Sequence, residues 1–186
     1  MSGEIQELMD RVAIQDVMLK YCRGVDRRSW DLARQAFFDD ATDHHADYKG
    51  SVQGFFDWIV PIHGQVARST HFIGNCLIEF GSETVAAVET YFYASLELGP
   101  EAKGHRKLLV DGEGGSDARV KTDVLGRYVD RFEKRDGAWR VAARKVVFDS
   151  THSQPVTGSV DLNLHWALGR RDGEDPIFQV RRGAGL

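Results

Sequence analysis

Two carboxylates and two imidazoles stand almost side by side in ATDHHADYKG: Asp43, His44, His45 and Asp47. Imidazole and carboxylate are common ligands of divalent metals, so this cluster is the first place to look for one. Neighbours on a strand point to opposite faces, however, and at most one of the two histidines can enter a shared cavity. No metal is expected. The inward histidine, taken as His44 with His45 the alternative, is read as a substrate contact together with Tyr48. Tyr21 lies on an apolar helical stripe, so its ring should be buried and its hydroxyl needs a partner, either backbone or a substrate oxygen. Arg144, between Ala142 and Val146 on a strand, is costly to bury unpaired; it either salt-bridges inside the fold or binds an anionic or enolate oxygen. Asn75 follows His71 and Ile73 at two-residue spacing, which places it on their face as a pocket-lining group.

Other chemistries lack their signatures. There is no Ser-His-Asp order and no CxxC pair, and the GEGG at 112–115 has neither the strand before it nor the helix after it that a phosphate loop needs. No cofactor is expected. The 24 basic and 28 acidic residues leave a net charge of −4 over 186 residues, which offers no basic face to nucleic acid and favours small molecules as ligands. No 18-residue uncharged apolar run marks a membrane span, and MSGEIQELMD has no basic n-region followed by an apolar core. Cys22 and Cys76 occupy apolar positions and read as small core residues of a reducing compartment, so a cytoplasmic location is expected.

These groups must be positioned by an α+β domain. Apolar residues at three- and four-residue steps predict a helix over 4–23 ended by Gly24. Ser29 and Ser51 read as N-caps of a short second helix and of a third running to about Pro61, with a short strand and turn between them. From residue 69 the pattern turns strand-like: 69–80 and 84–98 are adjacent antiparallel strands around the turn Gly81-Ser82-Glu83. Residues 119–135 and 138–151 form a hairpin at Asp136-Gly137, a pair suited to the positive φ of a tight turn. Residues 100–117 are polar and glycine-rich, either a short strand at KLLV or a mobile insert. The tail from Ser153 lacks periodicity, so the domain is drawn at 1–152 with 153–186 packing on it or on a neighbouring subunit.

The order of these elements, with IQDVMLKYCRGVDRRSWD, DATDHHADYKG, STHFIGNCLIEF and GRYVDRFEKRDGAWRVAARKVVFD, resembles the SnoaL-like branch of the nuclear transport factor 2 superfamily. That fold is a cone-shaped α+β barrel, three N-terminal helices packed in a curved, mainly antiparallel sheet. Scytalone dehydratase, bile acid 7α-dehydratase and γ-hexachlorocyclohexane dehydrochlorinase share it. The resemblance implies that Asp26 matches a carboxylate after the first helix, and His71 the histidine it pairs with on a cavity strand. It also matches Tyr21 to the tyrosine of the bile acid dehydratase, where the dehydrochlorinase has lysine, and Arg144 to an arginine reaching the cavity floor.

The chemistry so implied is proton abstraction by imidazole, whose pKa suits it without extreme tuning. The carboxylate fixes the tautomer and stabilises the imidazolium. The expected function is a cofactor-independent, dehydratase-like lyase acting on a small cyclic, mostly apolar substrate. His71 is the base, Asp26 orients it, and Tyr21 and Arg144 polarise an oxygen. An isomerase or polyketide cyclase of ketosteroid isomerase type needs the same groups without a leaving group. A binding or assembly module like a dioxygenase small subunit is the non-enzymatic rival. The aromatic run Tyr91-Phe92-Tyr93 should divide between cavity wall and intersubunit surface, and a homo-oligomer, a trimer by resemblance, is expected.

Overall fold

Helical periodicity collects Ile14, Met18, Tyr21, Cys22 and Val25 onto the buried stripe of the first helix, α1 (Gly3–Asp26). In the computed structural model, which describes residues 3–103, 106, 119–156 and 165–186, this helix runs through Gly24 rather than stopping there. A Cβ on Gly24 would lie 2.6 Å from the Ala33 nitrogen and 2.9 Å from its Cα. The glycine therefore serves the close approach of the short helix α2 (Trp30–Arg34). The chain leaves α1 at Arg28, whose φ is 53°. Ser29 precedes α2 but its side chain makes no capping bond, whereas Ser51 Oγ accepts the Gly54 N–H at the start of α3 (Val52–Gly64).

Among the described residues six strands follow or interleave these helices: β1 (Phe37–His45), β2 (Tyr48–Ser51), β3 (Val66–Ser82), β4 (Val85–Leu98), β5 (Val120–Arg135) and β6 (Ala138–Pro155). They form one mixed sheet in the order β2-β1-β6-β5-β4-β3. Every pairing is antiparallel except β1 with β6. The sheet curves around α1 and α3 without closing, because β2 and β3 at its two edges do not pair. The hairpin between β5 and β6 turns at Asp136 (φ 51°) and Gly137 (φ 77°), as the Asp-Gly pair predicts.

The core lies between helices and sheet, with Phe37, Phe55, Phe56, Tyr128 and Phe132 almost wholly buried. The opposite face of the sheet carries exposed Phe72, Leu77, Tyr91, Tyr93, Leu125 and Val129. Most of 100–117, including KLLV and GEGG, and residues 157–164 lie outside the described residues. Beyond them the chain forms a helix that periodicity did not reveal, α4 (Pro176–Gly183), whose signal is local: Asp175 accepts the Ile177 N–H, with proline at the first helical position. No helix among the described residues is long and apolar enough to cross a membrane.

Candidate active site

Asp26 is the last residue of α1, where the negative end of the helix dipole disfavours an extra carboxylate. Three donors overcome this. Ser69 Oγ donates to Oδ1 at 2.8 Å, the His71 main-chain N–H donates to Oδ2 at 2.8 Å, and the His71 ring Nδ1 meets Oδ1 at 2.7 Å. Burial alone pushes this carboxyl up, but the hydrogen bonds and charge of His71, with the Ser69 hydroxyl, reverse the effect and hold it below its ordinary value. An ionised Oδ1 favours the proton on Nδ1, and in the neutral ring that leaves Nε2 as the lone-pair nitrogen.

His71 opens on a cavity between α1, α3 and the inner face of the sheet. Apolar Val25, Trp30, Phe55, Trp58, Phe92 and Phe148 supply much of its wall, and Tyr21, His45, His63 and Tyr128 supply the other polar groups. About 60 Å3 remains for the centres of water-sized molecules, against the ~10–15 Å3 that one water needs, so side chains do not fill it. Of the aromatic run, Phe92 faces this cavity while Tyr91 and Tyr93 are on the exposed face.

Tyr21 lines the cavity with its ring edge-on to Phe37 and Tyr128, and burial raises its hydroxyl pKa above the ordinary value. Tyr128, which the sequence did not single out, stacks on Phe92 at 4.5 Å and forms the neighbouring part of the wall. Arg144 differs from its expected role. Its guanidinium is wholly buried and grips Asp130 with two bonds of 2.8 and 2.7 Å. It lies 4.4 Å from the ring centres of both Tyr21 and Tyr128 and is absent from the cavity lining. Desolvation would discharge it, and the Asp130 carboxylate keeps it charged. Arg144 thus meets the cavity wall from behind, through the two phenol rings that cover it, a placement in which a cation is attracted to the π-system of each ring.

The three expected substrate contacts are also corrected. Strand alternation in β1 turns Ala41, Asp43 and His45 inward, so the cavity histidine is His45, stacked 5.2 Å from Phe55, and His44 is on the other side. Tyr48 is outside the lining: its ring stacks on Trp58 at 5.8 Å and its hydroxyl donates to the Ser51 carbonyl. A bulge in β3 between Ile73 and Cys76 breaks the two-residue spacing. Cys76 takes the inward position instead, leaving Asn75 exposed beside Phe72, Tyr91 and Tyr93. Both cysteines are free, and burial pushes the Cys22 thiol up to about 12. Among the described residues no group of three or more His, Cys, Asp or Glu is placed to hold a metal ion.

One group came from a part of the chain that sequence reasoning left without a role. The Arg171 guanidinium donates to the main-chain carbonyls of Val25, Asp26, His63 and Val66, at 2.6 to 3.2 Å. It caps the carboxyl end of α1, where free carbonyls need donors, and so braces the residue that carries the dyad carboxylate. Burial, with nearby Arg28, lowers it to about 10. A second tie, Arg27 to Asp175 at 3.1 Å, fixes the same segment.

Comparison with known proteins gives one family and one fold. Residues 6–145 match the SnoaL-like domain. An uncharacterized protein of Mycobacterium tuberculosis, Rv2910c, is 23% identical over 137 residues, covering 70% of this chain and 88% of that one. Among solved structures, a chain from Novosphingobium aromaticivorans assigned as a scytalone dehydratase superposes with a TM-score of 0.65 at 19% identity, covering 85% of this chain and 99% of its own. The hexachlorocyclohexane dehydrochlorinase LinA-type3 of Novosphingobium barchaimii gives 0.62 at 20% identity, covering 87% and 99%. At these identities the structural likeness concerns the fold.

Proposed function

Because the chain belongs to the SnoaL-like domain family of the nuclear transport factor 2 superfamily, we propose that it is a cofactor-independent lyase, eliminating water or a similar leaving group from a small cyclic, mostly apolar substrate. The observation that carries this reading is the 2.7 Å contact between Asp26 and His71 at the wall of an unfilled apolar cavity. Nε2 of His71 takes a proton from carbon, and Asp26 stabilises the imidazolium that results. Tyr21 donates its hydroxyl to the substrate oxygen, strengthened by the Arg144 charge beneath its ring. Dehydratase and dehydrochlorinase neighbours with the same fold support elimination. The paired phenols would serve an enolate oxygen equally well, which keeps isomerisation as the second reading.

The exposed apolar row of the sheet is proposed as the contact between copies of this chain, a trimer by family resemblance, and the two free thiols suit a reducing, cytoplasmic setting.

The test is a panel of cyclic ketones and β-hydroxy ketones incubated with the protein in D2O and followed by proton NMR. Elimination with His71-dependent deuterium uptake at carbon is expected. Uptake with rearrangement and no leaving group would assign the isomerase reading. Ligand binding without any exchange would overturn both and leave a binding module.

A further inference from the structure

His45 and His71 enter the cavity from strands far apart in the sheet order, β1 next to one edge and β3 at the other. Each has a carboxyl group on its own side: Asp26 lies 2.7 Å from Nδ1 of His71, and Asp43 lies 4.0 Å from Nδ1 of His45. The environments of the two carboxyls are opposed. Asp26 receives three bonds, whereas neither oxygen of Asp43 has a hydrogen-bond partner and its side chain is wholly buried. Asp43 stands opposite Arg144 in the β1–β6 register, but that guanidinium is committed to Asp130 on β5.

We propose that Asp43 and His45 form the cavity's second proton-exchanging pair, with His45 delivering a proton to the substrate oxygen and Asp43 positioning and recharging the ring. This deepens the lyase reading and rests on it for the substrate step. In that step the His45 Nε2–H bond breaks as an O–H bond forms on the departing oxygen. Nδ1 then takes the Asp43 proton, leaving a carboxylate facing Arg144. The proton removed from carbon stays on His71, so each catalytic turn leaves His71 with one proton more and the Asp43–His45 pair with one fewer, and exchange with solvent restores both. The 4.0 Å gap must shorten by about an ångström to reach hydrogen-bond length.

Charge balance supports the assignment. Two carboxyls around one guanidinium are neutral only when one carboxyl keeps its proton, and Asp43 is the one without donors. Burial, with the Asp130 charge adding and Arg144 opposing, pushes it up to about 7. Titratable groups facing one another from separate elements with pKa values driven apart are the signature of divided acid and base roles. The other groups that face this region are Tyr21 on α1 and Asp130 with Arg144 on the sheet; His63 lines the cavity from α3.

The experiment follows the Asp43 13Cγ and the ring 15N signals of His45 and His71 from pH 4 to 9 in the full chain. Asp43 should titrate with a midpoint near 7, and the His45 nitrogens should show an inflection at the same pH that Asp43→Asn abolishes, with His71 unmoved. An Asp43 carboxyl already ionised at pH 5 overturns the proposal. So does a His45 curve identical in wild type and Asp43→Asn. If that variant does not fold, the wild-type curves decide, because absence of the shared inflection is enough to reject the pair. Asp26→Asn tests the base separately: it should disturb His71 and leave His45 as it was, so the two assignments fail independently. With a substrate from the panel, Asp43→Asn should shift the alkaline limb of the pH–rate profile and keep the acidic one; an unchanged profile removes the donor role.

Discussion

The Asp26 carboxylate holds His71 at two points, accepting the main-chain N–H on Oδ2 and facing ring Nδ1 with Oδ1, at 2.8 and 2.7 Å. Backbone and side chain of one strand residue are thus referenced to the end of one helix. The ring orientation is set before any substrate arrives, which is the preorganisation that a general base requires.

His71→Ala should lower turnover at least about 100-fold, the usual contribution of a positioned base. Asp26→Asn should also be severe, because the amide can present its NH2 to the ring and loses the charge that stabilises imidazolium. Circular dichroism should show both variants folded. Rates within about threefold of wild type in folded variants would remove both residues from the mechanism.

Stability should fall in acid through Asp26. Its pKa is depressed in the folded chain, so its contribution is full above the unfolded-state value of about 3.9 and is lost as pH drops further, through the folded-state value. Urea unfolding at pH 7 and pH 3 should show a smaller acid loss for Asp26→Asn than for wild type. Equal losses would mean that Asp26 is not held ionised by His71 and Ser69.

Arg144→Met should destabilise the fold by about 3–5 kcal/mol, since it leaves the buried Asp130 carboxyl without the guanidinium that pairs it. Adding Asp130→Leu should recover most of that loss, because two apolar side chains then replace a desolvated pair. Urea midpoints of the single and double variants measure this. A mild single variant would show that Arg144 is not committed to Asp130 in solution.

The exposed row Phe72, Leu77, Tyr91, Tyr93, Leu125 and Val129 places six large apolar side chains on one face of the sheet, the kind of surface that marks association sites. Light scattering should report an oligomer at micromolar concentration, and Leu125→Glu with Val129→Glu should shift it toward monomer without unfolding. A monomeric wild type would reject the interface.

The amino-acid sequence determined what depends on near neighbours. Apolar steps of three and four residues define α1, the Ser51 cap marks the start of α3, alternation with β-branched residues defines the long strands, and Asp136-Gly137 defines their last turn. The order of these motifs carried the family resemblance, and through it Asp26 and His71. Tertiary structure decided whatever depends on register. Counting back from the turn pairs Asp130 with Ala143, but a bulge beyond Phe132 moves it opposite Arg144 and turns a would-be substrate contact into a buried ion pair. A bulge in β3 puts Asn75 outside, and the phase of β1 selects His45 over His44. Arg171 reaches the end of α1 from 145 residues away. Because side chains alternate along a strand, one extra residue exchanges its faces. Where that residue is accommodated is set by packing summed over the whole sheet, not by the few residues around it.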